Sequence, residues 1–128
     1  MKRVTGIGGV FFKSKDPAKT KDWYDKHLGI ESGEHGAGFK WRTEENPEEA
    51  GFTAWSVFDE TSSYFDPSKK PFMINYRVEN LEELLKVLTE EGVEVVGKME
   101  VYSYGKFGWI MDPDGNKIEL WEPLGEGF

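Results

Sequence analysis

The sequence predicts an α+β protein made of two βαβββ modules in tandem, on the evidence of element order and a constant internal spacing. Predicted elements run strand, helix and three strands, and the same order then occurs again. The two halves match at an offset of 64 residues, half of the 128-residue chain. This offset pairs the helix caps Asp16 and Asn80, and it pairs Gly51 with Gly115, each opening a closing strand. The expected parts of this single domain are module 1 over about 4–60, a linker over about 61–70 and module 2 over about 71–123.

The composition excludes several classes of protein. The net charge of −8 argues against nucleic acid and anionic membrane surfaces as partners, because both require clustered Lys and Arg. The absence of cysteine excludes a disulfide scaffold, a cysteine zinc site and a thiol nucleophile. The run MKRVTGIGGVFFK is interrupted by three glycines and lacks a small-residue cleavage site, so it predicts a strand and no signal peptide. No apolar stretch approaches membrane-spanning length, and a cytoplasmic location is expected.

The first module contains one helix with clear boundaries. Asp16 is placed to cap it, Pro17 occupies its first position and Gly29 ends it. Before the helix comes a glycine-rich strand, and after it come a hairpin around a Gly-Ala-Gly turn and a closing strand. The predicted strand segments are 4–14, the hairpin 30–43 and 52–59.

The second module repeats this order with a stronger helical pattern. Asn80 is placed to cap the helix, with Glu83 three residues later as in a capping box, and Gly92 ends it. Between them, four leucines at helical spacing mark one buried face. The predicted strands of this module are 71–78, 93–101, 107–111 and 117–122.

The most legible stretch is DPDGNKIELW, residues 112–121, a turn that runs into the last strand. Pro113 and Gly115 suit the special backbone angles of the turn. In the strand, alternation places Glu119 on the face opposite Ile118 and Leu120. A calcium loop is excluded because the Pro and the early Gly break the required ligand spacing. The role of Glu119 is therefore the main functional question.

A duplicated βαβββ unit that ends in DPDGNKIEL resembles the vicinal oxygen chelate superfamily, and WYDKHLG at 23–29 resembles the end of that family's first helix. The superfamily holds glyoxalases, bleomycin-resistance proteins, extradiol dioxygenases and fosfomycin-resistance enzymes. The resemblance covers roughly residues 5–123. It implies two curved four-stranded sheets around a cavity, and it implies a homodimer, since dimers are common in the family.

The resemblance also implies where a metal would bind, with one ligand from the first and last strand of each module. Glu119 matches the ligand of the closing strand, but the other three positions fall on Gly9, Met73 and Trp55. Glycine has no side chain, and a thioether suits softer ions than the hard cations of such sites. We therefore expect no metal cofactor. An atypical site that combines His35 with Glu119 remains an alternative.

If Glu119 faces the cavity, strand alternation brings many aromatic side chains to the same face. Apolar walls with a few polar groups are typical of a small-molecule site. The alternative is that these rings only fill the core or a dimer interface. The candidate ligand-binding residues are Phe11, Trp55, Met73, Asn75, Arg77, Tyr104, Phe107, Trp109 and Trp121, with Glu119 as the candidate catalytic residue.

Three functions are consistent with these residues. The first is metal-free binding of a small, partly aromatic molecule, as in the bleomycin-resistance relatives. An acidic, tryptophan-rich chain suits an aromatic cation. The second is a glyoxalase-type lyase, isomerase or dioxygenase, using a metal with atypical ligands or Glu119 as a general base. The third is a ligand-sensing or purely structural dimer.

Overall fold

The computed structural model describes residues 2–125 and 128, and within them two helices pack on one seven-stranded sheet. The sheet order is β2-β3-β1-β4-β7-β6-β5. The α+β class predicted from the sequence is confirmed. The elements are β1 Val4–Ser14, α1 Pro17–Leu28, β2 Ala37–Arg42, β3 Ala50–Asp59, β4 Phe72–Val78, α2 Leu81–Glu90, β5 Val95–Tyr102, β6 Gly105–Met111 and β7 Lys117–Pro123.

The two halves of the chain join through their first strands. β1 and β4 pair antiparallel at the middle of the sheet. Each then pairs in parallel with the closing strand of its own half, β1 with β3 and β4 with β7. The sheet is therefore continuous over both halves and has seven strands, where the family resemblance implied two curved sheets of four strands each.

The hairpin predicted over residues 30–43 is only half formed. Its second strand is β2, but where the first strand was expected the described residues contain only a single bridge, between Gly33 and Gly36. Glycine is depleted in strands because it has much backbone freedom to lose and no side chain to pack. The first module consequently has three strands, and β2 lies at one end of the sheet order.

Both helices begin and end where the sequence predicted. The Asp16 side chain accepts a hydrogen bond from the Lys19 amide at 3.1 Å, and the Asn80 side chain accepts one from the Glu83 amide at 3.2 Å. Gly29 follows α1 with φ of 69°. Such a backbone conformation favours glycine and stops the helix. No helix in the described residues is long and apolar enough to cross a membrane.

The two faces of the sheet carry different side chains. Against α2 lie Ile118, Leu120 and Ile110, in a cluster with Leu81 and Leu84 of the helix. On the opposite face is a second apolar cluster that contains Phe11, Phe65, Met73 and Trp109. This second face, free of helices, is the one on which the candidate site is built.

The segment between the two halves packs closely against the sheet. Phe65 lies within the predicted linker, yet it is completely buried and belongs to the apolar cluster with Met73. Its neighbour Tyr64 reaches β7, where its hydroxyl contacts Glu119. Residues 61–70 therefore pack against the face of the sheet that carries the site and do not span open solvent.

Candidate functional site

A cavity of about 590 Å³ opens on the face of the sheet that lacks helices. Within residues 2–125 and 128, its walls contain six Phe, Tyr or Trp rings and two acidic side chains, those of Glu31 and Glu119. No Lys or Arg lines it among the described residues. The volume falls within the range of roughly 300–1,000 Å³ that small-molecule sites occupy. The six rings are those of Phe11, Phe52, Tyr104, Phe107, Trp121 and Phe128.

Glu119 lies at the floor of this cavity with only 3% of its surface exposed. The Asn75 amide nitrogen donates to its Oε1 at 2.7 Å. The Tyr64 hydroxyl at 2.5 Å and the Trp109 indole N–H at 3.0 Å both donate to its Oε2. Strand pairing sets this arrangement, because Asn75 and Trp109 lie directly beside Glu119 on the neighbouring strands. Three neutral donors therefore hold the buried carboxylate in one position.

Tyr64 and Lys117 lie next to this carboxylate but do not line the cavity. Burial and the nearby charge of Glu119 raise the pKa of Tyr64 well above its usual range, so the hydroxyl stays a donor. The Lys117 ammonium donates to the Tyr64 carbonyl at 2.8 Å and lies over the Tyr64 and Trp109 rings. Burial lowers the pKa of Lys117, while the charge of Glu119 opposes that shift. Lys117 thus holds residues 61–70 against β7.

Arg77 was predicted to bind the ligand, but the structure places it behind the cavity wall. Its guanidinium lies between the Trp41 and Trp121 rings, 5.3 Å from each ring centre, and donates to the main-chain oxygen of Phe128. Burial lowers the pKa of Arg77, and the charge of Glu49 opposes the shift. Its role in this geometry is to fix the Trp121 ring, which does line the cavity.

The structure brings most of the remaining predicted residues together on one face. Met73 and Trp109 lie in the apolar cluster beneath the cavity, where Trp109 also contacts Glu119. The Phe107 ring stacks on Trp121, with ring centres 6.0 Å apart and planes 6° from parallel. The predicted residues that line the cavity directly are Phe11, Asn75, Tyr104, Phe107, Glu119 and Trp121.

Trp55 is placed on the wrong face by the sequence prediction. Its ring packs 4.9 Å from Tyr24 of α1 and 5.4 Å from Phe12, on the helix side of the sheet. The reason is strand register. Phe11 lies opposite Ser56 and Asn75 lies opposite Glu119, so the residue equivalent to Glu119 is Ser56 and not Trp55.

The residues do not fit the four-ligand metal site that the family resemblance implies. The space above Gly9 is filled by the Phe11 ring, and Met73 is buried in the apolar cluster. Both oxygens of Glu119 already accept hydrogen bonds. His35 lines the cavity, but no three His, Asp or Glu side chains form a metal-binding group anywhere in the described residues. A lone carboxylate surrounded by donors is a poor ligand set for a divalent ion.

Three aromatic residues of the site were not anticipated: Phe52 and Phe128 line the cavity, and Tyr64 contacts Glu119. Phe52 could have been found, because it follows the alternation of Ala54 once the register of β3 is known. Tyr64 could not, since it lies in a polar segment 55 residues from the carboxylate that it contacts. Phe128 packs edge-on against Phe52 and Trp121, which no local pattern indicates.

Comparisons with known proteins agree on one fold. The model of the Glyoxalase/Bleomycin resistance protein/Dioxygenase superfamily matches residues 6–120. No curated protein matches the sequence significantly. A variant of Streptomyces coelicolor methylmalonyl-CoA epimerase in complex with 2-nitronate-propionyl-CoA superposes with a TM-score of 0.70 at 17% identity, covering 98% of this chain and 99% of that one.

Two further solved structures show the same fold at greater distance. Methylmalonyl-CoA epimerase from Mycobacterium tuberculosis has a TM-score of 0.62 and 22% identity, covering 98% of this chain and 93% of that one. A chain described as NAD-dependent benzaldehyde dehydrogenase from Legionella pneumophila has a TM-score of 0.57 and 13% identity, covering 90% of this chain and 97% of that one. At these identities the likeness concerns the fold alone.

Proposed function

The chain belongs to the glyoxalase/bleomycin resistance protein/dioxygenase superfamily, and from this premise we propose that it binds a small, partly aromatic cation in its cavity without a metal. The ring-lined walls support an aromatic guest, because ring stacking and edge contacts contribute beyond simple burial. The carboxylates of Glu31 and Glu119 and the net charge of −8 favour a positively charged one. A cation over such rings gains a further attraction.

The engagement of Glu119 is the observation that carries this proposal. Its two oxygens accept hydrogen bonds from three N–H and O–H groups. In a metal site, the carboxylate would instead bind an ion together with other ligand atoms that carry lone pairs. Among the other positions that the family resemblance implies, Gly9 offers no side chain and Met73 is enclosed by apolar groups. The carboxylate is therefore best placed to supply negative charge to a bound cation.

Binding is tested with three probes of similar size that differ in charge: benzylamine, which is protonated at neutral pH, benzyl alcohol and benzoate. Isothermal titration calorimetry at low salt should give the highest affinity for benzylammonium, a lower affinity for benzyl alcohol and the lowest for benzoate. Phe107→Leu removes a wall ring while keeping apolar bulk, and it should weaken benzylammonium binding by about tenfold. Phe39→Leu is the matched control, since Phe39 lies exposed on β2 outside the cavity.

Metal dependence is tested on protein purified without chelator. We expect benzylammonium binding to persist unchanged after dialysis against a chelator. A stoichiometric divalent ion whose removal abolishes binding would overturn the proposal. Equal binding of all three probes, or equal effects of Phe107→Leu and Phe39→Leu, would also contradict it.

An enzyme of the family is the second candidate, because Glu119 lines the cavity and its Oε1 accepts one hydrogen bond from the residues that the structure describes. A carboxylate oxygen has a further lone pair that can take a proton from a bound molecule. The epimerase neighbours suggest methylmalonyl-CoA as the first substrate to try. If the protein catalyses exchange of the α-hydrogen of this substrate with deuterated water, and Glu119→Gln abolishes that exchange, the result would favour an enzyme over simple binding.

We also propose a homodimer, as expected from the family resemblance. Size-exclusion chromatography with light scattering measures the mass of the protein in solution directly. A mass close to that of the 14.7 kDa monomer would contradict it.

A further inference from the structure

Asn75 carries an acceptor oxygen with no hydrogen-bond partner in the described part of the chain. The residue is only 2% exposed and lines the cavity beside Glu119. Its amide nitrogen donates to Glu119 Oε1 at 2.7 Å. The opposite amide orientation would point an oxygen at a carboxylate, where neither atom can donate. The contact with Glu119 therefore fixes which atom of Asn75 is left without a partner.

The unpaired oxygen lies against Gly8 of β1. A Cβ atom added to Gly8 would lie 2.2 Å from Asn75 Oδ1, which is far closer than such atoms approach. Gly8 also lines the cavity, and only a glycine fits there, because Arg77 Cγ and Trp121 Cε3 would each lie 3.0 Å from an added Cβ. A buried acceptor without a donor is unfavourable, and native proteins rarely leave one unsatisfied. The site therefore lacks one donor, which a bound molecule is able to supply.

We propose that the ligand is a cation with N–H groups, a protonated primary amine or an amidine on an aromatic body, which donates to Asn75 Oδ1 and to Glu119 Oε1. This inference rests on the proposed function, since it specifies the cation for the same cavity. Asn75 Oδ1 and Glu119 Oε1 are close together, because the amide that carries Oδ1 also donates its N–H to Oε1. A quaternary ammonium has no N–H and cannot form either hydrogen bond.

Comparing the affinities of a primary and a quaternary ammonium tests this proposal, because the aromatic walls alone would favour the quaternary cation. A quaternary ammonium is less strongly hydrated, and aromatic cages recognise it through cation–π contacts without hydrogen bonds. Hydrogen bonds from the ligand to Asn75 and Glu119 would instead make the primary ammonium bind more tightly. The preference for primary over quaternary ammonium therefore separates pairing with Asn75 and Glu119 from attraction to the rings.

The experiment compares benzylammonium with benzyltrimethylammonium on the wild-type protein by isothermal titration. We expect benzylammonium to bind about tenfold more tightly, the effect of satisfying a buried acceptor. Gly8→Ala should reduce this ratio to about one, because a methyl group 2.2 Å from Oδ1 forces the Asn75 amide out of its present position. Gly33→Ala is the matched control, since a Cβ there meets no atom within 4 Å, and it should leave the ratio unchanged.

The possible outcomes distinguish the two proposals. If neither cation binds, the proposed function fails. If both bind and the quaternary cation binds equally or more tightly, the ligand is a cation but the donor pairing is wrong. The wild-type comparison needs no variant, so a Gly8→Ala protein that fails to fold still leaves the inference open to refutation.

Discussion

Replacing Glu119 by Gln or by Leu tests how the buried carboxylate is stabilised. Gln has the shape of Glu without the charge. In Glu119→Gln, the amide oxygen can accept from Tyr64 and Trp109 while its nitrogen faces Asn75, whose own amide turns to present Oδ1. One amide atom of Asn75 remains unpaired, as in the wild type. The number of satisfied groups is therefore unchanged.

Leucine removes every acceptor from this position. The Asn75 and Trp109 N–H groups are buried and would lose their partner, whereas Tyr64 is 39% exposed, so its hydroxyl can turn to water. Each unsatisfied buried donor costs about 1–3 kcal/mol, and removal of a buried charge offsets part of that loss. We expect Glu119→Leu to lower the free energy of unfolding by about 3 kcal/mol and Glu119→Gln to change it by less than about 1 kcal/mol.

Urea unfolding followed by tryptophan fluorescence measures both effects. A loss of about 3 kcal/mol shifts the unfolding midpoint by roughly 1–3 M urea when the slope is unchanged. Glu90→Gln, on the exposed end of α2, controls for the loss of one negative charge. If Glu119→Gln destabilises the protein as much as Glu119→Leu, the charge itself is required and neutral donors do not account for its stability.

Three further results are expected. Phe65→Ala should lower the free energy of unfolding by about 3–5 kcal/mol, because a fully buried ring is removed from the apolar cluster; an effect no larger than that of the exposed Phe72→Ala would refute the packing of residues 61–70. In urea titrations at several alkaline pH values, the free energy of unfolding of Tyr64→Phe should fall less steeply with pH than that of the wild type. The unfolded chain ionises near the ordinary tyrosine pKa of 10.0, while the folded pKa is raised, so stability present below pH 10 falls as pH rises above it. An unchanged slope would contradict this. Trp55→Phe should destabilise the protein in the same assay yet leave benzylammonium binding unaltered, since the ring packs on α1; weaker binding would place Trp55 in the site after all.

The second half of the fold was predictable because its strands are regular. Alternation alone places Glu119, Trp109 and Asn75 on one face and Ile110 on the other, as the structure has them. Helix caps at Asp16 and Asn80 were also local signals, since each cap bonds to an amide three residues away.

The first half was harder to predict because its geometry depends on pairing between distant strands. β1 contains a register shift between Ile7 and Gly9, which an alternating pattern does not show. The repeat offset selected Trp55 because module 1 has one residue more between its first and closing strands, so that Phe11 pairs with Ser56 while Asn75 pairs with Glu119. A shift of one residue moves a side chain to the opposite face of the sheet.

The sequence by itself determined the α+β class, the two helices and the inward position of Glu119, because each follows from turn chemistry, caps or period-two alternation along one segment. Only the tertiary structure decided what surrounds that carboxylate. Tyr64 reaches it across 55 residues of chain, and Asn75 and Trp109 reach it through strand pairing. Such contacts are set by how the strands align, which local patterns do not record. The inward acidic residue of the closing strand, Glu119, is therefore seen in the structure as a carboxylate held by three donors beside one unpaired amide oxygen.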